Sequence, residues 1–188
     1  MSTEQPPGEA SGPDLEVIPP GVRDGATVTV SGHRLPSLDG VVAKPALVHA
    51  DHRGSLIELI NFDDPFWEEP VVYSYAITVA PGRIKGWGMH KLQADRYAVL
   101  SGSLRVVLYD GRPDSPSFRR FAEFQFSDEA PGFLRIPCGV WHADQNVGES
   151  PCRLINFPTR AYDRHSPDKY RIDPASREIP FDFTLRDG

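Results

Sequence analysis

From Val28 onward the chain is written in short runs of β-branched and aromatic residues, none longer than ten positions, each closed by turn chemistry. The runs are Thr27 to Val30, Val41 to Ala50, Ser55 to Asn61, Val71 to Ala80, Arg96 to Leu100, Ser103 to Tyr109, Phe121 to Phe126, Gly132 to Ile136, and Pro151 to Phe157. Turn signals fall between them at Asp51 to Gly54, Pro81-Gly82, Ser101-Gly102, Asp110-Gly111, Pro131-Gly132 and Val147 to Pro151. Ser101-Gly102, with Leu100 and Ser103 on its flanks, reads as a tight hairpin. Before the C-terminal tail no segment offers a helix of ten residues, and in the tail Ser166 to Tyr170 is predicted to make one helical turn. Nine short strands without an internal repeat predict an all-β barrel or sandwich.

The first 20 or so residues are Pro-, Gly-, Ser- and acid-rich with few large apolar side chains, too few to offset the entropy of ordering them. Residues 1–25 are therefore expected to be a flexible leader and 26–188 one domain, which the 188-residue length suits. The 19 Pro and 16 Gly strengthen the turn-rich β reading.

Charge narrows the function. The formal net charge is −6 and the Lys and Arg residues form no basic run, so nucleic acid and anionic membrane are not expected partners. No apolar stretch approaches the ~20 residues that cross a bilayer, and MSTEQPPGEASGPDLE lacks the parts of a signal peptide, so the expected location is cytoplasmic. Cys138 and Cys152 stand 14 positions apart with no CxxC, which signals neither zinc nor a redox pair. They could face each other on neighbouring strands, but a reducing cytosol favours free thiols.

Chemistry concentrates in two segments. Pro137-Cys138-Gly139-Val140-Trp141-His142-Ala143-Asp144-Gln145-Asn146 has the Pro-x-Gly-x-x-His-x-x-x-Asn form of the second cupin motif, in which Pro and Gly turn the chain at a barrel mouth and the next strand aims His142 inward. Gly82 to Gly102 carries His90 and ends in a Gly hairpin, as the first cupin motif does. A metal-binding cupin adds a second His two positions after the first and a carboxylate further on. Leu92 stands at the first place and Arg96 or Tyr97 at the second. His90 and His142 alone are fewer ligands than zinc or iron takes, so no metal is expected.

The chain resembles the dTDP-4-dehydrorhamnose 3,5-epimerases, metal-free cupins with a jelly-roll barrel (double-stranded β-helix), from about Leu47 to Phe183. The resemblance rests on Asp51-His52-Arg53-Gly54-Ser55-Leu56-Ile57-Glu58, on Gly88-Met89-His90 with Gln93, and on Asp110-Gly111-Arg112-Pro113-Asp114-Ser115-Pro116-Ser117-Phe118. It continues through Ile136-Pro137-Cys138-Gly139-Val140-Trp141-His142 and Ile172-Asp173-Pro174. It implies an isomerase without a cofactor, working on a nucleotide-linked 4-keto-6-deoxyhexose. There a base removes a C–H proton beside the ketone, a second group stabilises the enolate, and an acid returns the proton.

By the same resemblance His90 is the base and Asp173 its orienting partner, Arg53 and Glu58 serve the nucleotide end of the ligand, and His142 and Gln93 line the cavity. The resemblance also implies a homodimer formed through N-terminal strands, here Thr27 to Val30 and Val41 to Leu47. Three family positions depart: the enolate-stabilising Lys falls on Asp95, the Tyr acid on Asn156, and an Arg three before the His on Trp87. Polar positions upstream fall among Tyr73, Ser74 and Tyr75, which makes the expected mouth of the site aromatic. Tyr73, Tyr75 or Tyr97 could replace the missing acid, and Arg96 could replace the Lys only on a bulged strand. Three readings stay open: the family reaction, the same His base on another carbonyl-bearing metabolite, and a non-catalytic binder of a small ligand.

Overall fold

The computed structural model describes residues 38–185 and the short strand β1 (Thr27–Thr29); the expected leader, 1–25, lies outside the described residues. Two short strands, β2 (Val42–Pro45) and β3 (Val48–Asp51), are followed by β4 (Gly54–Ile57) and a 3-10 turn at Pro65–Trp67. Then come β5 (Tyr75–Val79), β6 (Ile84–Met89), β7 (Asp95–Ser101), β8 (Leu104–Asp110), β9 (Phe121–Phe126), β10 (Gly132–Ile136), β11 (Val140–Asn146), β12 (Cys152–Asn156) and β13 (Tyr170–Arg171). A six-stranded sheet in the order β1-β9-β8-β11-β6-β13 faces a five-stranded sheet in the order β2-β10-β7-β12-β5, and β3 pairs with β4 as a separate hairpin. This is the all-β jelly-roll arrangement that the pattern of short runs predicts. No helix of the described residues is long and apolar enough to cross a membrane.

Alternation along each strand sorts the side chains into layers. Leu104, Val106 and Leu108 of β8 and Phe124 and Phe126 of β9 meet Val99 of β7, Leu134 and Ile136 of β10 and Leu154 of β12 between the sheets. Each such side chain, buried almost completely, stabilises the fold by about 1.5–3 kcal/mol. The opposite parity feeds two outer layers. Trp87, Met89, Tyr109 and Trp141 pack under the C-terminal segment that carries Ile172, Ile179, Phe181 and Phe183. Ala98, Phe133 and Phe157 pack under Phe66 and Trp67 of the 3-10 turn.

Arg96 belongs to this second outer layer, not to the cavity. It is fully buried, its guanidinium donates to the backbone carbonyls of Phe157, Glu69 and Pro70, and it lies over the Trp67 ring at 5.0 Å. It therefore does not stand in for a Lys. Trp87 is among the residues that line the cavity, but its ring is fully buried against Phe181 and Phe183, with centroids 6.2 and 5.4 Å away.

Three strands were hidden from the pattern. β6 is broken by Gly86 and Gly88, β11 is dense in polar residues, and β13 has only two residues. The expected helical turn at Ser166 to Tyr170 does not form, because Asp168 bonds the backbone of residues 91 and 92 and Tyr170 begins β13. Asp110-Gly111-Arg112 and Ser115 to Ser117 form a knot at the end of β8. The buried Asp110 carboxylate accepts from Ser115 Oγ and Ser117 Oγ, both at 2.6 Å, and pairs with Arg112 at 2.7 Å. The stem of Arg112 packs against Gly139, where φ is +81° and a Cβ would come within 2.8 Å of Arg112 Cγ. That contact ties the knot to the start of β11.

Candidate active site

The space between the sheets is not apolar throughout. Asp95 and Tyr97 point inward from β7, His142 and Asp144 from β11, and His90 follows β6; with Tyr75 of β5 they line a cavity of about 560 Å³. Their odd and even spacing on each strand is what period-two geometry requires for one face. Gly88, paired with His142 in the β6–β11 register, leaves room for that ring, since a Cβ there would lie 3.1 Å from His142 Nε2.

His90 is held on one side by the backbone. Its Nδ1 bonds the carbonyl oxygen of Asp168, and because that oxygen can only accept, Nδ1 carries the proton and Nε2 is left with a lone pair. The Asp168 carboxylate accepts from the N–H of Lys91 at 2.9 Å and of Leu92 at 2.7 Å, which locks the two segments together. The orienting residue is thus Asp168, not Asp173. β13 runs antiparallel to β6 with Tyr170 opposite Met89, and Trp87 and Ile172 exchange both backbone bonds. This register carries Asp173 level with Gly86, four residues or roughly 13 Å along the strand from His90. Asp173 is exposed and bonds the N–H of Ala175.

The free face of His90 meets an acid. Nε2 of His90 lies 3.4 Å from Asp95 Oδ2, and Nε2 of His142 lies 3.8 Å from the same oxygen. Gln93 donates to the other Asp95 oxygen at 3.1 Å, and the two imidazole rings stack at 5.8 Å. Asp95, His142 and Gln93 are all buried, so these sequence-marked residues are brought together with His90. Arg53 and Glu58 are not. Both are exposed, Arg53 at the β3–β4 turn and Glu58 just beyond β4, and Arg53 pairs with Asp51 of its own hairpin.

Protonation states follow from burial and charge. Burial lowers the His142 pKa, an effect that the Asp95 charge only partly opposes, so the ring stays neutral. Burial, and then the Asp95 charge, push Asp144 up to about 7. Tyr97 is raised well above the usual phenol value by burial and by Asp144 and Asp95, and its hydroxyl sits 3.4 Å from Asp144 Oδ2. Tyr75 is pushed up to about 12 by burial and by Asp95, while Asn156 bonds its oxygen at 2.9 Å. A phenol therefore reaches the cavity from β5, anchored on Asn156, the position where the resemblance leads one to look for a Tyr.

Several site residues escaped the sequence reading. Asp144 was detectable, being two positions after His142 on one strand face. Lys85, Lys169 and Arg171 line the cavity as cations, and burial together with the charges of Arg171 and Lys85 lowers the Lys169 pKa. Lys169 and Arg171 lie in the tail, where no periodic signal places a side chain.

Comparison with known proteins places this geometry in a family. The polysaccharide biosynthesis C-terminal domain matches residues 49–170. The chain belongs to that family. A probable low-salt glycan biosynthesis epimerase of Haloferax volcanii is 34% identical over 140 residues, 73% of this chain and 89% of the relative. The spore coat polysaccharide biosynthesis protein SpsL of Bacillus subtilis is 34% identical over 146 residues, 78% and 96% of the two chains. Among solved structures, a dTDP sugar isomerase of Desulfovibrio desulfuricans superposes with a TM-score of 0.75 at 27% identity, covering 83% of this chain and 98% of that one. A dTDP-6-deoxy-D-glucose-3,5-epimerase of Legionella pneumophila shares the fold, with a TM-score of 0.70 at 19% identity over 81% and 83% of the chains. The family's relatives are thus sugar epimerases and isomerases, as the motifs around His90 and His142 imply.

Proposed function

We propose that this chain is an epimerase or isomerase of a nucleotide-linked 4-keto-6-deoxyhexose, moving a proton on a carbon beside the ketone. The observation that carries the reading is the fixed imidazole of His90. Its Nδ1 proton is committed to the Asp168 carbonyl, so the Nε2 lone pair inside the cavity is free to take a substrate proton. The C–H electrons pass to the ketone oxygen as an enolate, and a proton is then returned to the opposite face of the carbon.

Tyr75 suits the returning acid, because a phenol pushed up to about 12 keeps its proton at neutral pH and Asn156 fixes its oxygen. Lys169 is the cation at the cavity that suits the enolate oxygen, and with Lys85 and Arg171 it also suits a diphosphate. The names of the relatives, a glycan biosynthesis epimerase and a dTDP sugar isomerase, support this substrate class.

Incubation with dTDP-4-keto-6-deoxyglucose in deuterated water tests the reading. Deuterium at C3 or C5 is the expected result, and its absence together with no change in the sugar rejects it. A second reading, the same site acting on a different carbonyl-bearing metabolite, draws on Asp95. A buried acid beside the base places negative charge where an enolate would need positive charge. Under that reading the deoxysugar stays unlabelled while another ketone or aldehyde exchanges.

A further inference from the structure

Three cations line the cavity, and a diphosphate takes all three, Lys169 included. The ketone oxygen is then left to a neutral donor. We propose that Asp144 is the acid for that oxygen, handing it a proton from Oδ1 while His90 takes the neighbouring C–H proton. The proposal rests on the epimerase reading and gives its reaction a further catalytic residue, with Tyr97 positioning it.

Asp144 points into the space between the sheets from β11, two positions after His142 and on the same face, and Tyr97 meets it from β7 across the cavity. Both are buried. The Tyr97 hydroxyl donates to Asp144 Oδ2 at 3.4 Å, and Oδ1 has no hydrogen-bond partner among the described residues. A buried polar atom left unpaired is costly, so an oxygen in that condition on a cavity wall marks where a ligand atom completes the pairing. In the β6–β11 pair His142 stands opposite Gly88 and Asp144 opposite Lys85, and His90 follows the end of β6. Base and acid thus share one wall, and a ketone whose α-carbon meets His90 Nε2 turns its oxygen toward Asp144 Oδ1.

The neighbours keep this carboxyl supplied with a proton. Asp95 faces it from β7 with a negative charge, Lys85 from β6 with a positive one, and Tyr97 with a hydroxyl. Tyr75 of β5 and Cys152 of β12 are near enough to feel its charge, the neutral His142 precedes it on β11, and its partner on β8 is Val106. Burial and then the Asp95 charge raise the group, Tyr97 and Lys85 oppose them, and the balance falls at about 7. Asp95 thereby gains a use at a site where an enolate would be repelled: it holds a neutral donor ready, and the product of proton removal is an enol instead of an enolate.

The protons and electrons balance. His90 Nε2 takes the C–H proton, the C–H pair forms the C=C bond, and the carbonyl π pair takes the Oδ1 proton, leaving an enol and an Asp144 carboxylate. In the return step the carboxylate recovers its proton, the C=O bond re-forms, and the C=C pair takes a proton from Tyr75 on the opposite face. Exchange with solvent resets His90 and Tyr75, so the sugar leaves as an isomer and neither oxidant nor reductant is consumed.

The test is the pH dependence of kcat/KM for deuterium uptake into dTDP-4-keto-6-deoxyglucose, from about pH 6 to about pH 9, with full-length protein. An acid must be protonated to act, so the wild-type value should fall about tenfold per pH unit above about 7. Asp144→Asn, whose amide donates without titrating, should lower kcat/KM ~10-fold at neutral pH and remove that alkaline limb. Asp144→Leu should lose ~10²-fold or more in kcat with KM little changed. Tyr97→Phe removes a hydrogen bond that favours the carboxylate, so the limb should move to higher pH, whereas a merely structural Tyr97 would leave it in place. Should the Leu variant fail to fold, the wild-type and Asn profiles decide by themselves. A wild-type profile without an alkaline limb, an Asn variant that keeps the limb, or full kcat in the Leu variant overturns the acid and leaves His90 and the epimerase reading standing. No deuterium uptake by wild-type protein at any pH removes the epimerase reading and this acid with it.

Discussion

Two regions of this molecule carry residues that the sequence marks for ligand binding, and they are built in opposite ways. In the cavity, Asp95, Gln93 and His142 are buried and each is pressed by neighbours from two sheets. On the β3–β4 hairpin and just beyond it, Arg53 and Glu58 are exposed, Arg53 pairs with Asp51 beside it, and Leu56 is 62% exposed. An ion pair so open to water contributes little to stability. The barrel positions its side chains by close packing on all sides; the hairpin is fixed at the Ile57 end of β4, which packs against the outer layer of Phe66 and Trp67, and is open to water at its Arg53 turn.

The largest expected effect breaks the cavity side. His90→Ala should leave the β fold intact by circular dichroism and lower proton exchange with a dTDP-4-keto-6-deoxysugar by ~10²-fold or more, the loss expected for removing a general base. Full exchange in that variant would move the base elsewhere, with Asp144 the next candidate.

Acid should next separate the two regions by stability. Burial acts to raise the Asp110 pKa, but the hydrogen bonds from Arg112, Ser115 and Ser117 outweigh it and hold the group at about 2, below its usual 3.8. A depressed folded-state pKa stabilises the protein above the unfolded value and is lost as pH falls through the folded one. Stability of about 2 kcal/mol should therefore vanish between about pH 4 and pH 2. Amide exchange should quicken first at β8 and β11, which the knot joins, and Asp110→Asn should flatten that acid limb. An unchanged limb would remove Asp110 as its cause.

The hairpin side is sharpened by Arg53→Ala, which should raise KM for a nucleotide sugar ~10-fold and leave kcat alone, as loss of a charge-assisted contact away from the reacting carbon would. A fall in kcat with unchanged KM would instead place Arg53 at the chemistry. The smallest change is one of mass. Light scattering at micromolar concentration should give twice the 20.9 kDa of one chain, and Leu56→Asp should halve it. A wild-type particle of single-chain mass rejects the homodimer.

How much of this was legible follows from what each signal measures. Apolar runs mark strands buried on at least one face, so β8, β9, β10 and β12 stood out. β11 did not, because its inward positions are His142 and Asp144 and its polarity reads as a loop. Motif spacing located His90 and His142, since a motif records which positions of neighbouring strands meet. The resemblance pointed to the Asp173 carboxyl, whereas His90 Nδ1 bonds the backbone carbonyl of Asp168, five residues earlier; the pairing of β13 with β6 involves two residues and leaves no periodic trace. Asp95 was visible as a residue but its setting was not: that depends on its distance to two rings brought in from β11 and from the end of β6. Trp87 shows the converse, an aromatic residue bordering the cavity whose strand parity sends its ring into an outer layer.

The bond between His90 and Asp168 joins positions 78 residues apart. Synthesis runs from the N-terminus at ~5–20 residues per second, so His90 is made roughly 4 to 16 s before the carbonyl that fixes its tautomer. During that interval β7 to β12 are made, while the imidazole is free to turn. A chain lacking the residues from Asp168 onward would hold the strands of both sheets up to β12 around an unset ring, so the last stretch of the sequence decides when a folded chain becomes a competent one.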